Sequence, residues 1–485
     1  MKASVLNVRR QPVRLEADPV RVIARPFIPG GDGRTQSVID RVLQLNDERV
    51  RSLLDGIMND FSTRHRHITR ILQRNFQRVA TNGLSDTLSL EQELLIGAYF
   101  TAEYSLESVA LFNPSIVIHP DQTGIATGET RFILSLRACG EGHISSIVFR
   151  SGLIDASNRI TIDPTTPFAA TQEPVEDKLY DRHPFFLKLI EMGAFNDVAD
   201  TVLKSIPPHF TLAVLREAIR NKHAELGHME TYRQTADTML WLARSNYHLR
   251  FPADSPISER VIFPVTENES RGIEDARFVR FTHEDGRTVY YATYAAYNGF
   301  TVLPQFIETE DFIRFKIITL NGKFAQNKGM ALFPRKIDGT YVMISRVDGE
   351  SLYIMPSDNL HFWNEAEILK VPTYPWEFMQ IGNCGSPLET ERGWLLLTHG
   401  VGPMRTYCLG AVLLDLKDPS RIIAQLDKPL LIPDPNERDG YVPNVVYSCG
   451  GMIHNDELIL PYAMSDTATG FATVSLDELL DHLKG

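Results

Sequence analysis

From Ser37 to Val79 apolar residues recur three and four positions apart: Val42, Leu45, Val50, Leu53, Leu54 and Ile57, then Ile68, Ile71, Leu72, Phe76 and Val79. That is the period of helices with one buried face. A second helical pattern runs from Glu176 to Tyr247 through Phe185, Leu189, Ile190, Val198, Val202, Leu212, Leu215 and Ile219, broken by Pro207-Pro208. Ahead of both, Pro12, Pro19, Pro26 and Pro29 punctuate an extended arm that ends in a turn-rich hinge, Gly30-Gly31-Asp32-Gly33. Elsewhere the chain changes to short β-branched and aromatic runs separated by turn dipeptides. One unit recurs, at residues 130–136, 289–292 after Asp285-Gly286, 341–344 after Asp338-Gly339, 394–397 after Arg392-Gly393, and 458–460 after Asn455-Asp456. From the second unit onward the spacing is roughly 50 to 65 residues, the length of a four-stranded propeller blade. The longer first gap falls into line once the helical stretch is taken as an insertion. The pattern therefore predicts a mainly β chain: a five-bladed β-propeller with an N-terminal α-helical segment and an α-helical insertion between blades one and two. Its expected divisions are 1–104 (extended arm and helical segment), 105–175 (first blade), 176–247 (helical insertion) and 248–485 (remaining blades).

Composition narrows the function. Lys and Arg number 49 against 61 Asp and Glu, a formal net charge of −12. Affinity for nucleic acid comes mostly from cations neutralising phosphates, so nucleic acid is not the expected partner. No apolar run approaches the ~18 residues of a membrane span, and the first ten residues lack the order of a secretory signal, so a cytoplasmic protein without membrane contact is expected. Cys139, Cys384, Cys408 and Cys449 are scattered, with no CxxC pair, and read as buried thiols. No phosphate loop, HExxH, GxSxG or Cys/His cluster is present, so no metal or organic cofactor is implied. A propeller converges its blades on one axial pocket, which directs attention to the polar residues beside each turn-strand unit: Asn113, Arg137, Asp275, Arg277, Lys328, Arg346, His399, Arg405 and Asp466. Arg66, Arg70, Arg74 and Arg78 form a basic stripe at helical spacing, read as a solvated face paired with local acids such as Asp55 and Asp60.

Seven segments in order resemble glycoside hydrolase family 130, whose members are mostly inverting β-mannoside phosphorylases on a five-bladed propeller. They are Phe112-Asn113-Pro114-Ser115, Gly272-Ile273-Glu274-Asp275-Ala276-Arg277, Ala331 to Ile337, Gly393 to Val401, Leu409 to Leu416, Val442-Pro443-Asn444-Val445-Val446 and Ser465-Asp466-Thr467. The resemblance implies phosphorolysis of a short β-mannoside with inversion, giving α-mannose 1-phosphate and a shortened sugar. It implies Asp275 as the single catalytic acid, its proton passing through the mannosyl 3-hydroxyl. It also implies Lys328, Arg346 and His399 as phosphate ligands, with Arg405 as a further candidate. Asn113, Arg137, Arg277 and Asp466 are expected to bind the mannosyl unit. A phosphorylase needs one carboxylic acid where a hydrolase needs two carboxyl groups, because phosphate is already an anionic nucleophile that requires positioning more than deprotonation. The partners implied are a small oligosaccharide and inorganic phosphate as co-substrate, with the helical additions available for homo-oligomer contacts.

Two departures keep other readings open. Asn327-Lys328-Gly329 stands where many relatives carry Arg, and Lys lacks the bidentate fork. Ser386-Pro387-Leu388-Glu389-Thr390 stands where relatives often read Pro-Pro-Ile-Lys-Thr. A glutamate such as Glu389, or Glu141 in the glycine-flanked Arg137 to His143 stretch, is what an inverting β-mannosidase would use as base. A mannoside-binding propeller without catalysis is the third reading.

Overall fold

The computed structural model describes residues 6–30, 33–80, 87–174, 179–300 and 302–485; residues 1–5, residues 31–32 of the expected hinge and 175–178 at the start of the expected insertion lie outside them. The chain is mainly β, with nine α-helices among the described residues.

Each recurring unit is the second strand of an antiparallel group. Thr130–Cys139 pairs with Ala110–Ile118 and Ser145–Ile154, and Thr288–Tyr297 with Gly272–Thr282 and Val302–Thr309. Tyr341–Ser345 pairs with Ala331–Leu332 and Leu352–Ser357, and Gly393–Val401 with Gln380–Asn383 and Tyr407–Leu414. Glu457–Met464 pairs with Val446–Tyr447 and Ala468–Ser475. A fourth strand completes four of these groups from the following sequence: Ile160–Ile162, Arg314–Thr319, Glu367–Lys370 and Ile422–Gln425. The last group takes its outer strand from the other end of the chain. Arg9–Leu15 runs antiparallel to Ala468–Ser475, with Arg9 opposite Thr473 and Leu15 opposite Thr469. The Arg10 guanidinium fixes that register by donating to both Glu437 oxygens at 2.9 and 3.0 Å.

The second strands are buried on both faces, so alternate residues serve different neighbours. In Gly393–Val401, Trp394 and Leu396 pack with Phe333, Ile344 and Ile354 of the third group. Leu395 and Leu397 pack with Leu458, Leu460 and Val474 of the fifth. Phe132 and Leu134 of the first group meet Ile459 and Phe471 of the fifth, while Ile133 joins Ile273 and Phe278 of the second. Val279 and Tyr291 of the second meet Met343 and Met355 of the third. Each group thus packs on two others, and each fully buried large side chain contributes about 1.5–3 kcal/mol.

Eight of these helices form two clusters with their own cores, and the ninth, Leu476–His482, packs Leu479 and Leu480 on the fifth strand group. Arg34–Leu43, Asp47–Phe61, Ile68–Val79 and Leu90–Tyr99 bury Ile39, Val42, Val50, Phe76, Leu95 and Ile96. Asn46 caps the second of these and Ser89, with Gln92, closes a capping box on the fourth. Arg182–Glu191, Asp197–Lys204, Leu212–Leu226 and Tyr232–Arg244 enclose a separate core around Leu189, Val202, Leu215 and Met239. This cluster is tied to the second strand group by Lys188, whose Nζ donates to the Leu320 carbonyl at 2.9 Å. The basic stripe departs from expectation at Arg66, which lies in the turn before the helix Ile68–Val79: its partner is the buried Glu259 carboxylate at 2.5 and 3.1 Å, not Asp55 or Asp60.

No helix among the described residues is long and apolar enough to cross a membrane.

Candidate active site

Two first strands carry irregularities at matching places. The pairing of Ala110–Ile118 shifts between Phe112 and Ser115, and that of Gly272–Thr282 shifts between Glu274 and Arg277. Within these bulges Asn113 (φ 50°) and Asp275 (φ 56°) adopt left-handed backbone, as does Asp466 (φ 50°) after Glu457–Met464. Asn and Asp tolerate that region better than other non-glycine residues, and a bulge re-aims the side chain it carries. Here it turns Asn113 and Asp275 toward each other: Asn113 Nδ2 donates to Asp275 Oδ1 at 2.6 Å.

Cations surround this pair. Arg137 places Nη1 3.5 Å from Asp275 Oδ1 and donates from Nη2 to Glu274 Oε1 at 2.8 Å. Lys328 Nζ donates to the other Glu274 oxygen at 2.5 Å. Arg277 donates to the Asp275 carbonyl at 2.9 Å and to the Tyr447 hydroxyl at 2.6 Å. Several buried polar atoms have no partner among the described residues: Nε of Arg137, Arg277 and Arg346, and Oδ1 of Asn113. Such atoms are rare in folded interiors, and a group of them around one carboxylate suits an anionic, hydroxyl-rich ligand.

The carboxyls respond in opposite directions. Burial raises the Asp275 pKa, but Arg137, Arg277, Lys328 and the Asn113 hydrogen bond together outweigh it and hold the group below the ordinary aspartate value. Asp466 is pushed up to about 6, by burial first and then by the Asp275 charge, against the opposing pull of Arg137 and Arg405. Below about pH 6 the pair's proton therefore resides on Asp466 and not on Asp275, and near neutrality both are largely ionised.

His399 stands beside the Arg346 guanidinium. Burial, then the charges of Arg346 and Arg277, hold it well below its usual pKa, so the ring is neutral at pH 7. Its Nδ1 lies 3.2 Å from the Asn383 carbonyl, which can only accept, so Nδ1 carries the proton. Nε2 is then an acceptor, 3.5 Å from Arg346 Nη1. The ring lies over Gly382, where a Cβ would collide with it, and between Tyr407 and Tyr447, with centroids at 6.0 and 4.8 Å.

Glu389 does not reach this cluster. Its carboxylate pairs with Arg335 at 2.5 and 2.9 Å, and its side chain is 44% exposed. Glu141 is also exposed. Two contributors went unassigned in the sequence reading. Glu274 bridges Arg137 and Lys328, and its position beside Asp275 was the available signal. Tyr447 holds Arg277, one residue beyond the Val442 to Val446 segment, and had no signal of its own. The four cysteines are buried free thiols, and among the described residues no His/Cys/Asp/Glu group is arranged to hold a metal.

Comparison with known proteins adds an independent line. The sequence model of glycoside hydrolase family 130, described as beta-1,4-mannooligosaccharide phosphorylase, matches residues 228–485. That span includes Asp275, Arg277, Lys328, Arg346, His399 and Asp466. A 1,2-beta-oligomannan phosphorylase of Thermoanaerobacter sp. (strain X514) is 35% identical over 226 residues, 44% of this chain and 72% of the relative. A beta-1,2-mannobiose phosphorylase of Listeria innocua is 30% identical over 258 residues, 52% of this chain and 70% of the relative. The solved structure of a beta-1,2-mannobiose phosphorylase from Listeria innocua, in complex with beta-1,2-mannobiose, superposes with a TM-score of 0.44 at 20% identity, covering 78% of this chain and 93% of that one.

Proposed function

The chain belongs to glycoside hydrolase family 130, and from that membership and the geometry around Asp275 we propose that it is a β-mannoside phosphorylase acting with inversion on a short mannoside. The products are α-mannose 1-phosphate and a shortened sugar. The observation that carries the reading is the half-buried Asp275, hydrogen-bonded to Asn113 and ringed by Arg137, Arg277 and Lys328, with unpaired guanidinium N–H groups nearby.

In this reading a phosphate oxygen attacks the anomeric carbon as the bond to the leaving oxygen breaks, and that oxygen takes a proton from the mannosyl 3-hydroxyl, which Asp275 reprotonates. Lys328 and Arg346 hold phosphate. The four cations Arg137, Arg277, Lys328 and Arg346 outnumber the three carboxyl groups Glu274, Asp275 and Asp466, an excess that suits an anion. His399 acts on phosphate through Arg346, whose Nη1 it orients. Asn113, Arg137, Arg277 and Asp466 hold the mannosyl unit. The lowered pKa of Asp275 is the work of its neighbouring cations. Each negative charge brought to ~6 Å at an effective dielectric of ~20 contributes roughly 2.8 kcal/mol, about two pKa units, so bound phosphate itself moves Asp275 toward the protonated form.

The strand groups are read as five propeller blades, supported by the packing of each on two others, with Arg9–Leu15 completing the last. The arm and first helices (1–104), first blade (105–175), helical insertion (176–247) and remaining blades (248–485) are read as its divisions. Of the bases named for the hydrolytic alternative, Glu389 is paired with Arg335 and Glu141 is exposed.

The test is product analysis on β-1,2- and β-1,4-mannobiose with and without millimolar phosphate. Mannose 1-phosphate formed only with phosphate supports the reading. Free mannose at a rate indifferent to phosphate refutes it.

A further inference from the structure

The run of arginines before and along the helix Ile68–Val79 takes no part in the chemistry at Asp275, yet the fold gathers it into one place. Arg66, Arg70, Arg74 and Arg78, with Arg25 from the strand Val22–Pro26, line a groove of about 440 Å³ between that helix and the segments 169–172 and 263–265. Among its described lining residues there is no carboxylate. The whole chain carries a net charge of −12, so five guanidiniums in one concave site run against its composition.

The arrangement works against the helix that bears it. Arg70, Arg74 and Arg78 follow one another at four-residue intervals, about 6 Å apart along the axis, and like charges at that spacing destabilise a helix. Arg70 also falls in the first turn, where the macrodipole favours acids, and no acidic residue stands there. His67, which lines the groove from the N-cap, makes no side-chain cap, so the helix end beside the groove has no side-chain acceptor from its cap. Two carboxylates that touch the lining are already engaged. Glu259 accepts from Arg66 and Thr166, and Glu103 pairs with Arg64 and His65.

Arg25 is held ready for a ligand. Its guanidinium carbon lies 4.5 Å from the Phe263 ring centroid and 5.0 Å from that of Tyr104, and the two rings meet edge to face at 5.2 Å. Stacking on aromatic faces fixes the plane of the guanidinium, so less freedom is lost when its fork closes on an anion. Arg66 is fixed in a similar way by Glu259 and by the Phe168 ring, 4.6 Å from its guanidinium carbon. Cations in a cleft with low-dielectric walls focus their field on what enters, and arginine forks match phosphate oxygens in pairs. The volume falls in the range of small-molecule sites, and the acidic surface outside the groove repels a long polyanion. The arginines come from two walls, and three of them spread over about 12 Å of helix axis, more than one phosphoryl group can answer.

We propose that this groove binds a small phosphorylated molecule with two or more phosphoryl groups, held by Arg25 on one wall and by the arginines of the helix Ile68–Val79 on the other. The inference goes beyond the reaction assigned to Asp275 and does not depend on it.

The test is calorimetric titration at about 150 mM salt, where exposed charges are screened beyond roughly 8 Å. Tripolyphosphate probes the phosphoryl charge alone and ADP a phosphorylated small molecule. Each is titrated into wild type, Arg25→Gln, Arg78→Gln, Lys328→Ala and Lys204→Gln, the last removing an exposed charge from the separate helix Asp197–Lys204. The expected result is saturable binding of at least one probe, weakened about tenfold or more by Arg25→Gln and by Arg78→Gln, the value of a charge-assisted hydrogen bond, and changed less than about twofold by the other two. Arg78 is exposed at the helix end, so its variant keeps the test decisive if Arg25→Gln does not fold. Absence of saturable binding overturns the proposal. Binding lost in Lys328→Ala but kept in both arginine variants overturns it in favour of the Asp275 cluster. Equal weakening by Lys204→Gln overturns it as an effect of overall charge. A DNA duplex or poly-glutamate that binds more tightly than both probes, with the same dependence on Arg25 and Arg78, overturns the small-molecule assignment in favour of a polymer.

Discussion

Asp466→Asn is predicted to make the protein more stable and less active at once. The carboxyl of Asp466 is raised from 3.8 to about 6 by burial and by the neighbouring Asp275 charge. Between those pH values the folded protein keeps a proton that the unfolded chain has lost. Stability therefore falls as pH rises from about 4 to about 6, and the loss is complete above that window. Two pKa units correspond to roughly 3 kcal/mol as an upper bound. Asparagine removes the charge with little change of shape and tolerates the left-handed backbone at this position (φ 50°) equally well. Asp275 does not blur the result. Its depressed pKa contributes stability that is present above the unfolded value and lost only at more acidic pH. The expected gain at pH 7.5 is about 1–3 kcal/mol, and at pH 4.5 it shrinks to roughly a third. For a unit of this length a thermal midpoint moves roughly 1 °C per kcal/mol, so scanning calorimetry at the two pH values resolves the difference. A gain that is independent of pH, or a variant no more stable than wild type at pH 7.5, would refute the reasoning.

Other outcomes follow from the same geometry. Asp275→Asn should lower kcat by about 10²–10⁴ while mannoside affinity by calorimetry changes only a few-fold, since the acid acts in the transition state. Lys328→Ala should raise KM for phosphate about tenfold or more, the value of a charge-assisted hydrogen bond, and retention of wild-type phosphate KM would remove Lys328 from the site. Gly400→Ala would place a methyl 2.6 Å from both the Glu377 Cβ and the Trp376 ring. A destabilisation of about 1–3 kcal/mol in denaturant titration is expected from that overpacking. Glu389→Gln should leave turnover within twofold of wild type and stability within about 1 kcal/mol, because its partner Arg335 lies at the surface.

Periodicity is a local property, and what it determines is local. The five turn-strand runs became the second strand of every group, and Val42, Val50, Leu72 and Phe76 became the buried faces of helices. The chemical types at Asn113, Arg137, Asp275, Arg277 and Lys328 were equally legible, because their motifs are contiguous. The tertiary structure alone decided which distant residues meet. Arg9–Leu15 pairs with a strand more than 450 residues away, and no pattern in either segment names the other. Asn113 and Asp275, 162 positions apart, touch only because two bulges turn them inward. Protonation was likewise undecided by sequence. His399 has either charge state open in isolation and becomes a neutral acceptor once buried beside Arg346, while Asp466 rises because it is buried and then because Asp275 is close. Burial and neighbouring charge set those states, and both exist only in the folded chain. Glu389, a base by motif position, faces outward toward Arg335 for the same reason: the strand Leu388–Thr390 presents it on its solvent side, which only the packed sheet defines.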